Sequence, residues 1–402
     1  MSQLPVVPPS LVLPELLAQS EAMRVLRRDL HAHPELCFQE ERTSDVIART
    51  LSAWGIEVHR GLGKTGVVGV INGVKPGRTI GLRADMDALP MTEATGAAHA
   101  STRPGVFHGC GHDGHTTMLL GAARYLAQQP RLAGRVVLIF QPAEEGLGGA
   151  ARMIEEGLFD RFPCDEIYAL HNWPNAPLGQ ISLKPGVAMA AADSFDVVIS
   201  GRGAHGAQPQ NAVDPVVVAA ALTQALQTIV SRNVDPLRAA ILSVTQIHAG
   251  SAYNVIPDTA RLSGTIRTFA AETRNLVLRQ LEAPSTGIAS AFGAAASVQI
   301  DPRFSALHNS PAETLAALEI ARDLVGPDLT VVDADPQSGS EDFAEMLAHV
   351  PGAYLLVGQG TGPALHNPAY DFNDDILPIG ASLLARLAEV RGAAQLWCRR
   401  AG

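Results

Sequence analysis

The 402-residue sequence predicts an α/β protein, a mostly parallel-sheet domain interrupted by an inserted ferredoxin-like βαββαβ unit. Three observations predict it. Short apolar, β-branched runs alternate with helix-periodic stretches through the first half, the grammar of strands joined by crossover helices. Each polar cluster in that half falls just past the C-terminal end of a run, where open α/β sheets place their ligands. From about Ala188 the order becomes strand, helix, two strands, helix, strand, and the earlier alternation resumes after residue 304. The boundaries that follow are 1–187, 188–304 and 305–402.

The elements can be justified in order. Residues 14–54 read as two helical pieces separated by His31-Ala32-His33-Pro34-Glu35. Between Val67 and Asp85, β-branched runs are split by Asn72-Gly73 and Pro76-Gly77, and residues 78–83 form a strand that delivers Asp85 and Asp87. The stretch His108-Gly109-Cys110-Gly111-His112-Asp113-Gly114-His115 leads into a helix over 116–128, with Asp113 as the expected N-cap. A buried strand over 136–140 runs into Gln141-Pro142-Ala143-Glu144-Glu145-Gly146, and a strand over 166–170 ends at His171. In the inserted unit, strands are expected over 194–200, 240–247, 261–268 and 296–300. Asp214-Pro215 starts a helix to about residue 229, and a second helical stretch over 272–292 is interrupted near Pro284. Helices over 312–324, after Ser340 and over 376–396, with strands near 329–332 and 354–357, close the chain.

Composition excludes several function classes. The net charge of −10 offers no attraction to nucleic acid or an anionic membrane. Four widely spaced cysteines do not make a disulfide framework, and no apolar run approaches the roughly 18 residues of a membrane span. The apolar, Pro-rich start lacks a basic n-region and carries Glu15, so it is a poor signal peptide and the cytoplasm is expected.

The chemistry concentrates at the strand ends, in Asp85, Cys110, His112, Glu144, Glu145, His171 and His366. A thiolate and an imidazole two residues apart, on backbone that glycine lets bend, can point at one divalent cation. This set exceeds what one ion needs and suits two ions about 3.5–4 Å apart. One carboxylate of the Glu144-Glu145 pair can ligate while the other takes a proton from water that a metal has acidified toward a pKa of about 7. The implied reaction class is metal-assisted hydrolysis.

Four blocks carry a family resemblance: Gly81-Leu82-Arg83-Ala84-Asp85-Met86-Asp87-Ala88-Leu89-Pro90, His108-Gly109-Cys110-Gly111-His112-Asp113, Gln141-Pro142-Ala143-Glu144-Glu145 and Gly203-Ala204-His205-Gly206-Ala207. Together they resemble the M20 metallopeptidases from about Arg24 to about Ala388. More narrowly they resemble the amidohydrolase branch, with its hippurate, N-acyl-amino-acid and plant auxin-conjugate hydrolases. The resemblance implies a catalytic domain built from both chain ends and an inserted lid and dimerisation domain, hence a homodimer or higher homo-oligomer. It implies that Cys110 bridges two divalent ions, with His112, Glu145, His171 and His366 completing the ligands, Glu144 as general base and Asp85 supporting a ligand. His205 would stabilise the oxyanion, and Asn254 and Arg267 would hold the carboxylate of an N-acyl amino acid substrate. Two departures from the peptidase branch, Arg83 in place of a histidine ligand and Cys110 in place of a bridging aspartate, are the pattern of the amidohydrolase branch. They leave the metal open among zinc, manganese, cobalt and nickel.

Plainer readings stand beside these. Cys37, Cys164 and Cys398 read as small core residues, His115 as a structural hydrogen-bonding residue, and Ser340-Glu341-Asp342 as a capped helix start. Arg267 could be a strand arginine in a surface salt bridge, Asn254 a turn former and His205 a loop histidine. Gly63-Lys64-Thr65-Gly66 resembles a phosphate-loop fragment with the wrong spacing. His31-x-His33 resembles a ligand pair of barrel amidohydrolases, but eight repeated βα units are absent from the pattern. A dipeptidase or carboxypeptidase of the same family differs in the acyl half of the substrate. A metal-dependent conjugate-binding module would need the ligands but not Glu144.

Overall fold

The computed structural model describes residues 12–393. The chain opens with helices α1 (Pro14–Leu17), α2 (Ser20–Ala32) and α3 (Glu41–Ala53), then strands β1 (Glu57–Leu62), β2 (Gly66–Asn72) and β3 (Lys75–Asp85). Helix α4 (His112–Ala127), β4 (Ala133–Gln141), α5 (Gly149–Glu155), α6 (Leu158–Arg161) and β5 (Glu166–Trp173) follow, then the short strands β6 (Ile181–Leu183) and β7 (Gly186–Met189). Next come β8 (Ala191–Ser200), β9 (Ala204–His205), α7 (Pro215–Thr228), β10 (Ala240–Ala249), β11 (Val255–Ile256) and β12 (Thr259–Thr268). After α8 (Ala271–Gln280), α9 (Glu282–Ala291), β13 (Ala295–Phe304) and β14 (Leu307–Asn309), the described chain ends with α10 (Pro311–Val325), β15 (Thr330–Val332), α11 (Phe343–Leu347), β16 (Gly352–Gly358) and α12 (Leu377–Ala393).

Contacts divide the chain into two units. Among the described residues, one takes those up to Ala188, His308–Asp335 and those from Asp342 on; the other takes Met189–Leu307 and Pro336–Glu341. In the first, eight strands lie in the order β1-β2-β4-β3-β5-β16-β6-β15. The central four, β4, β3, β5 and β16, run parallel, while β1 and β2 are antiparallel at one edge. The mostly parallel α/β fold read from the sequence is the fold observed. The central strands are apolar on both faces because helices cover both, as Val136, Val137, Leu138, Ile139 and Phe140 of β4 show by being fully buried. Helix α4 packs against β3, α2 and α12 and is buried almost all round. In the second unit the order β10-β12-β8-β13, antiparallel throughout, is the ferredoxin-like arrangement.

Three local expectations need correction. Asp113 does not cap α4: the helix starts one turn of backbone earlier, from Gly111 at φ 95°, and Asp113 faces α2 instead. Asp342 precedes α11 without capping it; its carboxylate accepts from Ala150 N at 2.9 Å and so caps the start of α5. The break in the second helix of the inserted unit lies at Leu281, which leaves Pro284 in the first turn of α9, where its missing N–H has no helical partner to lose. Residues 394–396 of the expected last helix, Cys398 and the apolar, Pro-rich residues 1–11 lie outside the described residues. Among the described residues, no helix is long and apolar enough to cross a membrane.

Candidate metal centre

The parallel strands β4, β3, β5 and β16 are neighbours, so the segments that follow them emerge along one edge. Asp85 ends β3, Glu144 and Glu145 follow β4, His171 lies near the end of β5, and His366 follows β16. Cys110 and His112 come from the long loop after β3 and the start of α4. The turn into α4 needs Gly111: besides its positive φ, a Cβ there would lie 2.5 Å from Asn172 Oδ1 and 2.7 Å from Tyr370 Oη.

The candidate ligands meet. Cys110 Sγ lies 3.3 Å from His171 Nε2. Glu145 Oε1 lies 3.3 Å from His366 Nε2 and 3.9 Å from His112 Nε2. The sets Cys110–His112–His171, Cys110–Glu145–His366 and His112–Glu144–Glu145 each bring their donor atoms within 4.8 Å of one another. His171 Nδ1 donates to the Asn172 carbonyl at 2.7 Å, which leaves Nε2 with its lone pair facing the thiol. Backbone strain gathers here as well, with Ala143 at φ 54° and His366 at φ 61°. His366 is held there by its N–H donating to Gly109 O, one residue from Cys110, at 2.8 Å.

A frame of buried polar groups holds these side chains. His112 Nδ1 is hydrogen-bonded to Asp87 Oδ1 at 3.2 Å, whereas Asp85 is 3.9 Å away. Asp87 also accepts from Glu145 N at 3.0 Å. Asp85 is engaged by His115 Nδ1 at 2.6 Å and Arg83 Nη1 at 2.6 Å, and His115 Nε2 is 2.7 Å from Asn172 Oδ1. His115 is therefore the hydrogen-bonding residue the sequence suggested. Arg83 also donates to Gln141 at 2.8 Å and Asp342 at 3.0 Å, so it braces the strand ends. Asp87, Asn172, Gln141 and Asp342 were not singled out as site residues in the sequence, because their partners are remote in the chain.

Burial strains the charges in this cluster. Cys110 is pushed well above the usual thiol range by burial, with Glu145, Glu144 and Asp85 adding to the effect. Burial opposes a charge on His112, but Asp85, Asp87 and Glu145 overcome it and hold the imidazole up to about 10. His171 is pushed well down by burial and by His115 beside it. His112 Nε2 and Glu145 Oε1 are buried without a hydrogen-bond partner among the described residues. An unpartnered buried polar group costs roughly 1–3 kcal/mol. A donor set of thiol, imidazole and carboxylate with two orphaned atoms fits divalent cations.

The other candidates lie on the second unit. Strand β11 pairs with β9, with Val255 opposite His205, and Gly206 N donates to Asn254 O at 2.7 Å. His205 and Asn254, far apart in sequence, thus share one two-stranded ribbon, and both are exposed. Ala207 N donates to His205 Nδ1 at 3.0 Å, which puts the proton of the neutral ring on Nε2. Arg267 is half-buried on β12 and donates to Ser340 Oγ at 2.7 Å. Among the described residues it has no salt bridge, unlike Arg261 on the same strand, which pairs with Asp196 at 2.8 Å.

Thiol, imidazole and carboxylate donors gathered beside the strand ends of an α/β sheet fit a metal-dependent hydrolase, and comparison with known proteins makes the chain an amidohydrolase and gives its family. The chain belongs to peptidase family M20/M25/M40, whose pattern matches residues 81–390. It is 41% identical to a hippurate hydrolase of Campylobacter jejuni over 94% of this chain and 98% of that one. It is 43% identical to an N-acetyl-L-cysteine deacetylase of Bacillus subtilis over 87% of this chain and 83% of that one. Among solved structures, a dinuclear metal binding peptidase of the M20 family from Bacillus subtilis matches with a TM-score of 0.81 and 35% identity, over 94% of this chain and 99% of that one.

Proposed function

We propose that the protein hydrolyses N-acyl amino acids of the hippurate type to a carboxylic acid and a free amino acid. In this reading Cys110, His112, Glu145, His171 and His366 would hold two divalent cations. The observation that carries it is the overlap of three donor sets in one cluster that also contains Glu144. Bound there, the cations would supply Lewis acidity, polarising the amide carbonyl and lowering the pKa of water toward about 7. Glu144 takes the proton of the attacking water and returns it to the leaving amine nitrogen. His205 donates from Nε2 to the carbonyl oxygen as that oxygen takes up charge. Arg267, without a carboxylate partner among the described residues, and Asn254 hold the substrate carboxylate. Asp85 supports the cluster through His115, and Asp87 orients His112.

Zinc suits the thiolate best, while manganese, cobalt and nickel suit the oxygen and nitrogen donors. The second unit, with residues 188–304 at its centre, serves as the lid and as the surface for a second copy of the chain. Edge strand β10 supports that surface, because Ile241 and Ile247 are exposed on it. Cys37, Cys110 and Cys164 are free thiols, in keeping with a cytoplasmic protein.

The test is amino-acid release from N-benzoyl, N-acetyl and longer N-acyl amino acids, with dipeptides alongside, using metal-loaded protein and a chelated control. Chelator-sensitive hydrolysis of the acyl amino acids is expected. Cleavage of dipeptides alone would overturn the substrate class, and binding of two metals without any turnover would overturn the enzymatic reading.

A further inference from the structure

Glu40 is a fully buried carboxylate outside the ligand cluster. It stands just before α3 but does not cap that helix. Oε1 accepts from Phe38 N at 3.0 Å and from Ala143 N at 3.0 Å, while Oε2 accepts from Thr65 Oγ1 at 2.6 Å. No cation pairs with it among the described residues, and burial pushes its carboxyl up to about 7. Burying a carboxylate without a cation is costly. Its three donors are all neutral, and one of them belongs to the residue just before Glu144.

That residue, Ala143, sits at φ 54°, a conformation a non-glycine residue adopts at a cost on the order of 1 kcal/mol or more. Its peptide groups are gripped at both ends: Glu40 takes the N–H, and Gly149 N donates to the carbonyl at 3.0 Å. Two positions on, Asp87 takes the N–H of Glu145 at 3.0 Å. Glu144 therefore hangs between two backbone amides, each held by a buried carboxylate from a different loop.

The third partner of Glu40 accounts for the Gly63-Lys64-Thr65-Gly66 turn. Thr65 is buried and donates inward, and Lys64 takes the positive φ of 71° at the turn. A Cβ on Gly63 would lie 2.9 Å from Met153 Cγ and 3.3 Å from Pro142 Cγ, so the turn packs directly under Pro142. The phosphate-loop likeness is the sequence trace of a tight turn that packs beneath the Glu144 segment.

We infer that Glu40 is a positioning residue for the hydrolysis: it holds Ala143 in its left-handed conformation and so aims Glu144, and Thr65 fixes the Glu40 carboxylate. The inference rests on the role proposed above for Glu144. Displacing a reacting group by about 1 Å can lower the rate about 100-fold.

The experiment compares Glu40→Ala, Glu40→Gln, Thr65→Val, Lys64→Ala and Glu144→Gln in the metal-loaded full chain with N-benzoylglycine. It reads kcat, KM, bound metal per chain and hydrogen exchange of the 141–146 segment. Glu40→Ala should lower kcat about 10- to 100-fold with little change in KM and with metal retained. The Ala143 amide should exchange faster. Glu40→Gln keeps an oxygen for that amide and should recover kcat to within a few-fold of wild type. Thr65→Val should lower kcat several-fold, and it carries the same test if Glu40→Ala does not fold. Lys64→Ala should change nothing. Wild-type kcat and unchanged exchange in folded Glu40→Ala or Thr65→Val, with Glu144→Gln inactive, would overturn this inference alone. An active Glu144→Gln would instead overturn the role of Glu144 and this inference with it.

Discussion

The residues of the candidate metal cluster and the residues of the second unit assigned to the substrate are held in opposite ways. Asp85, Asp87 and His171 are buried at or just past the ends of parallel strands and Cys110 and His112 at the start of α4, with His366 the exposed exception; Asp87 and Asn172 fix His112 and His171 from behind. His205 and Asn254 lie exposed on a two-residue ribbon, and Arg267 leans on one neutral hydroxyl. The first region is braced by buried hydrogen bonds, with His112 Nε2 and Glu145 Oε1 unpartnered among the described residues; the second presents His205 and Asn254 on exposed backbone. The difference teaches where each kind of mutation should act. Changes in the buried frame should alter kcat and metal affinity; on the second unit, changes at Asn254 and Arg267 should alter KM, and a change at His205, the proposed oxyanion donor, should lower kcat.

The largest effect expected is at Glu144. Glu144→Gln keeps the shape and removes the base, so kcat should fall by about 100- to 10,000-fold. Metal content measured on the purified variant should stay that of wild type. Near-normal turnover would break the comparison at its centre, since the buried region would then lack the acid–base group assigned to it.

Asp87 sharpens the same contrast from one layer further out. Its two oxygens serve different groups: Oδ1 serves His112 Nδ1, and Oδ2 accepts from Glu145 N and from Cys37 Sγ. In Asp87→Asn only one oxygen remains, so one of those bonds is lost. Competition with a chelator should show metal affinity reduced by about 10- to 100-fold, with KM for the substrate little altered. Unchanged metal affinity would show that His112 needs no support from Asp87.

Arg267 tests the other side. Charge-assisted hydrogen bonds to a carboxylate contribute roughly 1.5–3 kcal/mol, so Arg267→Ala should raise KM for N-acyl amino acids by about 10- to 100-fold. The corresponding N-acyl amine, which lacks the carboxylate, should be insensitive to the substitution. Equal losses with both substrates would assign Arg267 to folding of the second unit.

How much of this was legible in the sequence follows the same division between local and remote causes. The buried strands 136–140 and 166–170 were legible because parallel strands covered on both faces read as unbroken apolar runs. The clustering of Cys110, His112, Glu144, Glu145, His171 and His366 was legible from motif spacing and strand-end position, and the structure brings them together. Asp113 was misread because an aspartate near a helix start favours capping locally, while Arg27 Nε and His31 Nδ1, each 2.8 Å away on α2, outcompete the helix. Asp87, Asp342 and Glu40 act on Glu145, Ala150 and Ala143, all remote in sequence. No periodicity or cap pattern marks such pairs. Strand ends can be read along the chain; the polar frame behind them depends on which loops the fold brings together.

The smallest effect expected concerns neither turnover nor affinity. The His31–Asp113 pair ties α2 to the start of α4, with Arg27 Nε ion-paired to the same carboxylate. Burial works against a charge on His31, yet Asp113 overcomes it and raises the imidazole from 6.5 to about 8. A folded-state value above the unfolded one means that the folded protein binds the extra proton. The stability this contributes is complete below pH 6.5 and is lost as the pH rises through 8. A shift of that size corresponds to about 2 kcal/mol. Thermal unfolding followed from pH 6 to pH 9 should therefore show wild type losing stability across that window relative to His31→Gln, which cannot titrate there. Parallel curves for the two proteins would mean that Arg27 alone holds Asp113, and that the frame behind the cluster is indifferent to the charge of His31.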